Sequence, residues 1–230
     1  MAALQLENIT RAFESGGDRA GVFDVSLQLD GGRMAVLAGP SGSGKTTLLQ
    51  VAGLLDPPDE GRVVIGGVEA SQLPEALRCD IRLKQMGFVF QNFNLVPVLD
   101  AVENVMLPLQ LQGVPASQAA EIAKKSLLRV GLENRMKSRP GELSGGQQQR
   151  VAIARALAAE PKLVFADEPT ANLDRAHGGP LIQLMRELAR ETGASFLVAS
   201  HDHLVIDMAD EIFYLEDGRV SAHEVKGATC

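Results

Sequence analysis

Cysteine is scarce in this chain. Cys79 and Cys230 are the only two in 230 residues, and they stand far apart. That excludes a disulfide-stapled scaffold and a thiolate metal site, and it reads as two reduced thiols in a cytosolic protein. No stretch of 18 apolar residues runs without a charge, so no transmembrane helix is expected. The first residues, Met1-Ala2-Ala3-Leu4-Gln5-Leu6-Glu7, have neither a basic start nor a long apolar run, and a signal peptide is not expected. Basic residues are outnumbered, 22 Lys and Arg against 29 Asp and Glu, for a net charge of −7. This balance argues against a nucleic-acid partner. There is no internal repeat, low-complexity tract, linker or sustained heptad pattern.

What remains is a chain with 45% hydrophobic residues, enough for one large α/β domain with a subdomain. Phe23, Val25, Leu27 and Leu29 alternate with polar neighbours, the period of a half-buried strand in an antiparallel edge sheet. Asp30-Gly31-Gly32 turns the chain. Met34 to Ala38, Leu163 to Ala166 and Phe196 to Ala199 are continuous apolar runs, as parallel strands covered on both faces require. Val63 to Ile65 and Phe88 to Phe90 read as further short strands.

Between Asp100 and about Ala159 the period becomes helical. Asp100 with Glu103 forms a capping pair. Ile122, Leu127, Leu128 and Val130 make a helical stripe that Gly131 ends, and Pro180 is placed in the first turn of a helix carrying Leu181 to Ala189. The pattern predicts one domain over residues 1–230, with a core of about 1–91 and 160–230 and a helical subdomain of about 92–159.

Directly after the Met34–Ala38 run stands Gly39-Pro40-Ser41-Gly42-Ser43-Gly44-Lys45-Thr46, followed by Thr47. This is a phosphate-binding loop between a strand and a helix. Glycines there let backbone N–H groups turn inward around a polyphosphate. Lys45 is expected to reach the β- and γ-phosphates and the Thr46 hydroxyl to coordinate Mg²⁺. The helix start adds its unpaired N–H groups.

The second strand with chemistry at its end is Leu163-Val164-Phe165-Ala166-Asp167-Glu168. Asp167 is expected to bind Mg²⁺ opposite Thr46. Glu168 faces elsewhere, because neighbouring strand residues point to opposite sides, and can orient or deprotonate a water aimed at the γ-phosphate. Leu143-Ser144-Gly145-Gly146-Gln147 precedes an alanine-rich helix. Ser144 caps it, and the glycines leave N–H groups bare, a second anion-binding helix end. Taken alone, Ser-Gly-Gly is a plain capped helix.

Together these motifs resemble the ATP-binding subunits of ABC transporters, over nearly the whole chain. Leu143 to Gln147 matches the family's signature motif residue for residue. Gln91 after Phe88-Val89-Phe90 matches the Q-loop, Ala171-Asn172-Leu173-Asp174 the D-loop, and His201 the switch histidine. Phe13 stands where the family has an adenine-stacking tyrosine. The resemblance implies a P-loop NTPase core with a mixed sheet, an antiparallel β subdomain and an inserted α-helical subdomain.

It also implies a head-to-tail dimer around two ATP molecules with Mg²⁺. One copy's phosphate loop would hold each ATP, and the other's Ser144-Gly145-Gly146-Gln147 end would cover the γ-phosphate. In that arrangement Glu168 polarises the attacking water and His201 contacts the γ-phosphate. Gln91 senses nucleotide and Mg²⁺, and Asp174 contacts the partner copy. His177, His203 and His223 are surface residues, and Asp202 is structural.

The stretch from Gln91 to Leu109, and Ala166 to Asp174, are similar to the lipoprotein-releasing and macrolide-efflux ATPases, including division-associated members. That branch implies a membrane-embedded permease partner, met by the Gln91–Leu109 region with Phe93, Leu95, Val96 and Leu99 exposed, and a place on the cytoplasmic face of the inner membrane. A locally packed loop is the alternative for this region. A regulatory ATPase on a membrane complex, or a soluble ATPase outside transport, are the alternatives for the function.

Overall fold

The computed structural model describes residues 2–15, 18–173 and 175–226. Asp174 and Cys230 lie outside them.

Two sheets organise the chain. The first contains β1 (Ala2–Ser15), β2 (Asp18–Asp30), β4 (Glu60–Ile65) and β5 (Val68–Glu69), all antiparallel, with β2 at one edge. Leu4, Leu6 and Ile9 of β1 and Val22, Val25, Leu27 and Leu29 of β2 are its buried face. The alternation of β2 slips at Asp24, whose φ is 54°, so Val22 is buried and Phe23 only half-buried.

The second sheet runs β10-β9-β3-β8-β7-β6, from Arg219–Val225, Glu211–Glu216, Met34–Ala38, Ser195–Ser200, Leu163–Asp167 and Met86–Val89. The last five strands are parallel, and β10 joins antiparallel to β9. This makes the sheet mixed. Its alternation explains the continuous apolar runs. Met34, Val36, Val164, Ala166, Phe196 and Val198 face one core, and Ala35, Leu37, Leu163, Phe165, Leu197 and Ala199 face the other. Each strand is apolar on both sides because both sides are covered.

The second core lies between this sheet, α1 (Lys45–Ala52) and the antiparallel sheet. The first continues into the helices α3 (Ala101–Leu111), α4 (Ala116–Arg129), α5 (Gly145–Leu157) and α6 (Arg175–Thr192). α3 begins with the expected reciprocal cap: Asp100 accepts from Glu103 N at 2.8 Å, and Glu103 accepts from Asp100 N at 2.9 Å. Helix α2 (Glu75–Gln85) buries no residue, and α7 (His203–Asp207) is a single turn capped by Asp202.

Three expectations change. Leu128 points outward, 59% exposed, while Ile122, Leu127 and Val130 meet the core. α6 starts at Arg175, so Pro180 lies inside the helix, after a helical Gly178-Gly179 pair. Phe93, Leu95, Val96 and Leu99 are half-buried, with Leu95 packed on the first core. Asn104, fully buried on α3, accepts from Val96 N at 2.8 Å and donates to the carbonyls of Val96, Leu99 and Asp100 at 3.2, 3.1 and 3.0 Å. One amide thus satisfies the loop's polar groups and holds its apolar side chains inward. Val98 is the exposed apolar residue of this loop, at 72%.

Candidate active site

The phosphate loop joins β3 to α1, and its shape is set by close backbone approach. Gly39 has φ 157°, and a Cβ there would lie 2.2 Å from the Leu215 carbonyl oxygen. Gly44 has φ 98°, and a Cβ would meet Val22 Cγ1 at 2.7 Å and Gly21 O at 2.8 Å. Neither position admits a side chain. No side chain caps α1, so its first N–H groups face outward into the loop's concavity. Lys45 is buried, and its ammonium donates to the Gly39 and Pro40 carbonyls, both at 2.8 Å. A cation folded back onto its own loop is poised over the ground a polyphosphate would fill.

The Thr46 hydroxyl donates to Asp167 Oδ1 at 3.2 Å, so the helix start and the end of β7 meet. Burial raises the Asp167 pKa, the Thr46 hydrogen bond opposes that, the Glu168 charge adds to it, and the Lys45 charge counters it. A hydroxyl and a carboxylate whose charge burial disfavours fit a hard divalent cation, which such sites hold with one or two carboxylates plus phosphate oxygens.

Glu168 turns away from Asp167. Its φ is 44°, an uncommon conformation for a non-glycine residue, fixed by its N–H donating to Ala199 O at 2.9 Å. Its Oε1 lies 2.7 Å from His201 Nδ1, and its Oε2 accepts from Ser200 Oγ at 3.3 Å. A carboxylate accepts, so Nδ1 carries the hydrogen in this contact and Nε2 is left facing out. His201 is largely exposed, and Glu168 is shielded beside it.

Phe13, Pro40, Ser41, Gly42, Gly44, Lys45, Thr46, Thr47, Gln91, Glu168 and His201 line one cavity of about 580 Å³. Gly39 and Ser43 belong to the loop behind it, and Asp167 meets it through Thr46. Phe13 is 40% exposed, with the Arg11 guanidinium 4.8 Å from its ring centroid and Asp56 and Asp59 pairing that guanidinium. Ser144, Gly145, Gly146 and Gln147 stand apart from this cavity. They form the capped tip of α5: Ser144 Oγ accepts from Gln147 N at 3.3 Å, and Gln147 Oε1 accepts from Ser144 N at 3.0 Å. The chain therefore gathers one half of the predicted site and leaves the other half elsewhere on its surface.

Sequence reasoning missed Ser200, the hydroxyl at the end of β8 that donates to Glu168, and the β1–β2 hairpin residues Ala20 and Gly21, which wall the cavity beside Phe13. A serine directly before the histidine was the available signal for the first. The hairpin had none, because β1 shows no clean alternation. The predicted structural role of Asp202 holds: it caps α7 and accepts from Thr170 Oγ1 at 3.4 Å.

Comparison with known proteins places this geometry. Residues 22–171 match the family described as ABC transporter. An uncharacterized ABC transporter ATP-binding protein of Thermotoga maritima is 45% identical over 88% of this chain and 86% of its own length. The lipoprotein-releasing system ATP-binding protein LolD 1 of Rhodospirillum rubrum is 42% identical over 96% of this chain and 98% of its own. Among solved structures, the ATP-binding cassette MJ0796, a dimer in a post-hydrolysis state bound to ADP and Pi, superposes with a TM-score of 0.89 at 39% identity, covering 97% of this chain and 99% of that one. The chain belongs to the ABC transporter family and is one of its ATP-hydrolysing cassettes.

Proposed function

We propose that two copies of this chain close head to tail around two ATP molecules and drive a membrane-embedded partner of the lipoprotein-releasing type. The observation that carries the reading is the separation just described: a cavity with the phosphate loop, Glu168 and His201 on one face, and a bare, capped helix tip at Ser144-Gly145-Gly146 outside it. A tip of this kind binds anions through its N–H groups and the helix dipole. It serves hydrolysis only when a second copy brings it over the γ-phosphate.

In that dimer the phosphate-loop N–H groups and Lys45 cradle the phosphates, and Phe13 stacks on the adenine. Thr46 and Asp167 would hold Mg²⁺, with Gln91 as a further contact from the same cavity. The ion, when bound, neutralises charge on the phosphate oxygens. Glu168 orients a water and takes its proton as the oxygen attacks the γ-phosphorus and ADP leaves. His201, steadied through Nδ1 by Glu168, reaches the γ-phosphate through Nε2, which donates there when the ring carries a hydrogen on both nitrogens.

A separate cavity of about 410 Å³, with a mostly apolar lining that includes Leu55, Met86, Phe88, Leu107, Pro108 and Leu111, opens between β6, α2 and α3. It supports a permease segment docking here, beside the Gln91–Leu109 stretch, on the cytoplasmic face of the inner membrane. No helix among the described residues is long and apolar enough to cross a membrane. The LolD 1 relative's name supports the lipoprotein-releasing assignment. Co-purification with the membrane protein produced alongside it, then ATPase assay of chain and complex, tests this reading. A stable complex with altered turnover is expected; a chain that purifies alone from detergent-solubilised membranes contradicts it.

A further inference from the structure

Arg155 lies in the last turn of α5, away from the nucleotide cavity. Its guanidinium donates to two consecutive main-chain carbonyls, Nη1 to Asn94 O at 2.6 Å and Nη2 to Phe93 O at 2.8 Å. Both carbonyls belong to residues in the left-handed region, with φ 61° for Phe93 and 47° for Asn94. Two successive non-glycine residues persist in that conformation only when their surroundings hold them. Among the described residues no carboxylate pairs with Arg155, and burial lowers its pKa. A half-buried cation without a counter-ion is costly unless its donors are used, and here the fork spends two of them on one turn.

That turn begins at Gln91. The Gln91 carbonyl accepts from Asn172 Nδ2 at 2.8 Å, so the turn is pinned at its start by the segment after Glu168 and at its end by α5. The same turn reaches the other end of α5 through its ring: a Cβ on Gly145, next to Ser144, would lie 3.8 Å from Phe93 Cζ and 3.4 Å from Asn172 O.

We propose that Arg155 is a positioning residue: by gripping the Phe93–Asn94 turn it sets where Gln91 stands in the nucleotide cavity and where the Phe93 ring rests against the helix tip that meets the second copy. The inference rests on the reading of Gln91 as a sensor of nucleotide and Mg²⁺. An arginine that merely packs α5 against the loop would stabilise the fold and leave the chemistry alone.

The experiment is a double-mutant cycle on the full chain with Arg155→Met and Gln91→Ala, read by kcat, KM and calorimetric ATP affinity. Arg155→Met is expected to lower kcat about tenfold, the scale of a small misplacement of a reacting group, and to leave ATP affinity within about twofold because the phosphate loop is untouched. Arg155→Lys restores part of the loss, since an ammonium reaches one carbonyl but lacks the planar fork. In the Gln91→Ala background, Arg155→Met changes kcat less than about twofold, because the group it positions is already gone. Equal losses in both backgrounds overturn the proposal. If Arg155→Met does not fold, Arg155→Lys in both backgrounds carries the same comparison. If Gln91→Ala lowers kcat and neither Arg155 variant does, the inference alone falls. If Gln91→Ala keeps full kcat, the reading of Gln91 falls first and takes the inference with it.

Discussion

Glu168 Oε1 and His201 Nδ1 lie 2.7 Å apart, joining the ends of β7 and β8 at the mouth of the nucleotide cavity. The two side chains hold each other, and Ser200 steadies the carboxylate from behind at 3.3 Å. A carboxylate fixed on two sides is oriented before substrate arrives. Replacing Glu168 by Gln keeps the shape and removes the proton acceptor. The expected outcome is a fall in kcat of about 10³-fold, with ATP affinity retained. The variant should elute as an ATP-bound dimer on gel filtration, because the step that releases it is blocked. Wild-type turnover in this variant removes Glu168 from the chemistry.

Asp167 gives a pH signature. Burial is the main cause of its raised pKa. The folded protein therefore binds a proton here that the unfolded chain has already released, and stability falls as pH rises through the window from the ordinary aspartate pKa to the raised one. Asn keeps an oxygen to accept from Thr46 and removes the charge. In EDTA at pH 7, Asp167→Asn should melt at a higher temperature than the wild type, with the gap closing toward acid. Its Mg²⁺-dependent hydrolysis should be lost. A lower melting temperature at pH 7 would show that the carboxylate is not strained by burial.

Lys45 is held by two carbonyls of its own loop at 2.8 Å each. Its charge is the nearest one the phosphates would meet. Lys45→Ala should weaken ATP binding by about 2–5 kcal/mol, the usual cost of truncating one partner of a close charge pair. Calorimetry reads this directly, and unchanged affinity contradicts the phosphate-loop assignment.

Phe13 stands clear of the core, 40% exposed, with Arg11 against its ring. Stacking a base on an aromatic ring contributes about 1–3 kcal/mol. Phe13→Ala should therefore weaken ATP by roughly tenfold or more and leave inorganic triphosphate unaffected, because triphosphate has no base to stack. Equal losses for both ligands would assign Phe13 to the fold.

How legible each element was follows from its surroundings. β3, β7 and β8 read clearly because both faces are covered and every residue must be apolar. The starts of α3 and α5 read clearly because Asp100 and Ser144 cap them by local chemistry. β1 did not, since Asn8 at φ 51° and two register shifts break its alternation between Leu6 and Arg11. α2 buries nothing, so it carries no apolar stripe to detect, and β10 is exposed along most of its length. The cavity residues were legible because glycine loops and strand-end carboxylates are constrained by chemistry. The contact that Asn172 makes with the Gln91 carbonyl, by contrast, depends on β6 lying beside β7. That is a property of the sheet order, and no local pattern encodes it.

Ser144 to Gln147 at the α5 tip lie outside the chain's own cavity, and in the proposed dimer they act on the other copy's nucleotide. The most direct measurement is the rate of ATP hydrolysis per molecule, followed over protein concentrations that span the monomer–dimer transition at saturating Mg-ATP. The rate per molecule should climb with concentration and level off as dimer fills. A value that stays constant down to concentrations where only single chains exist would contradict it.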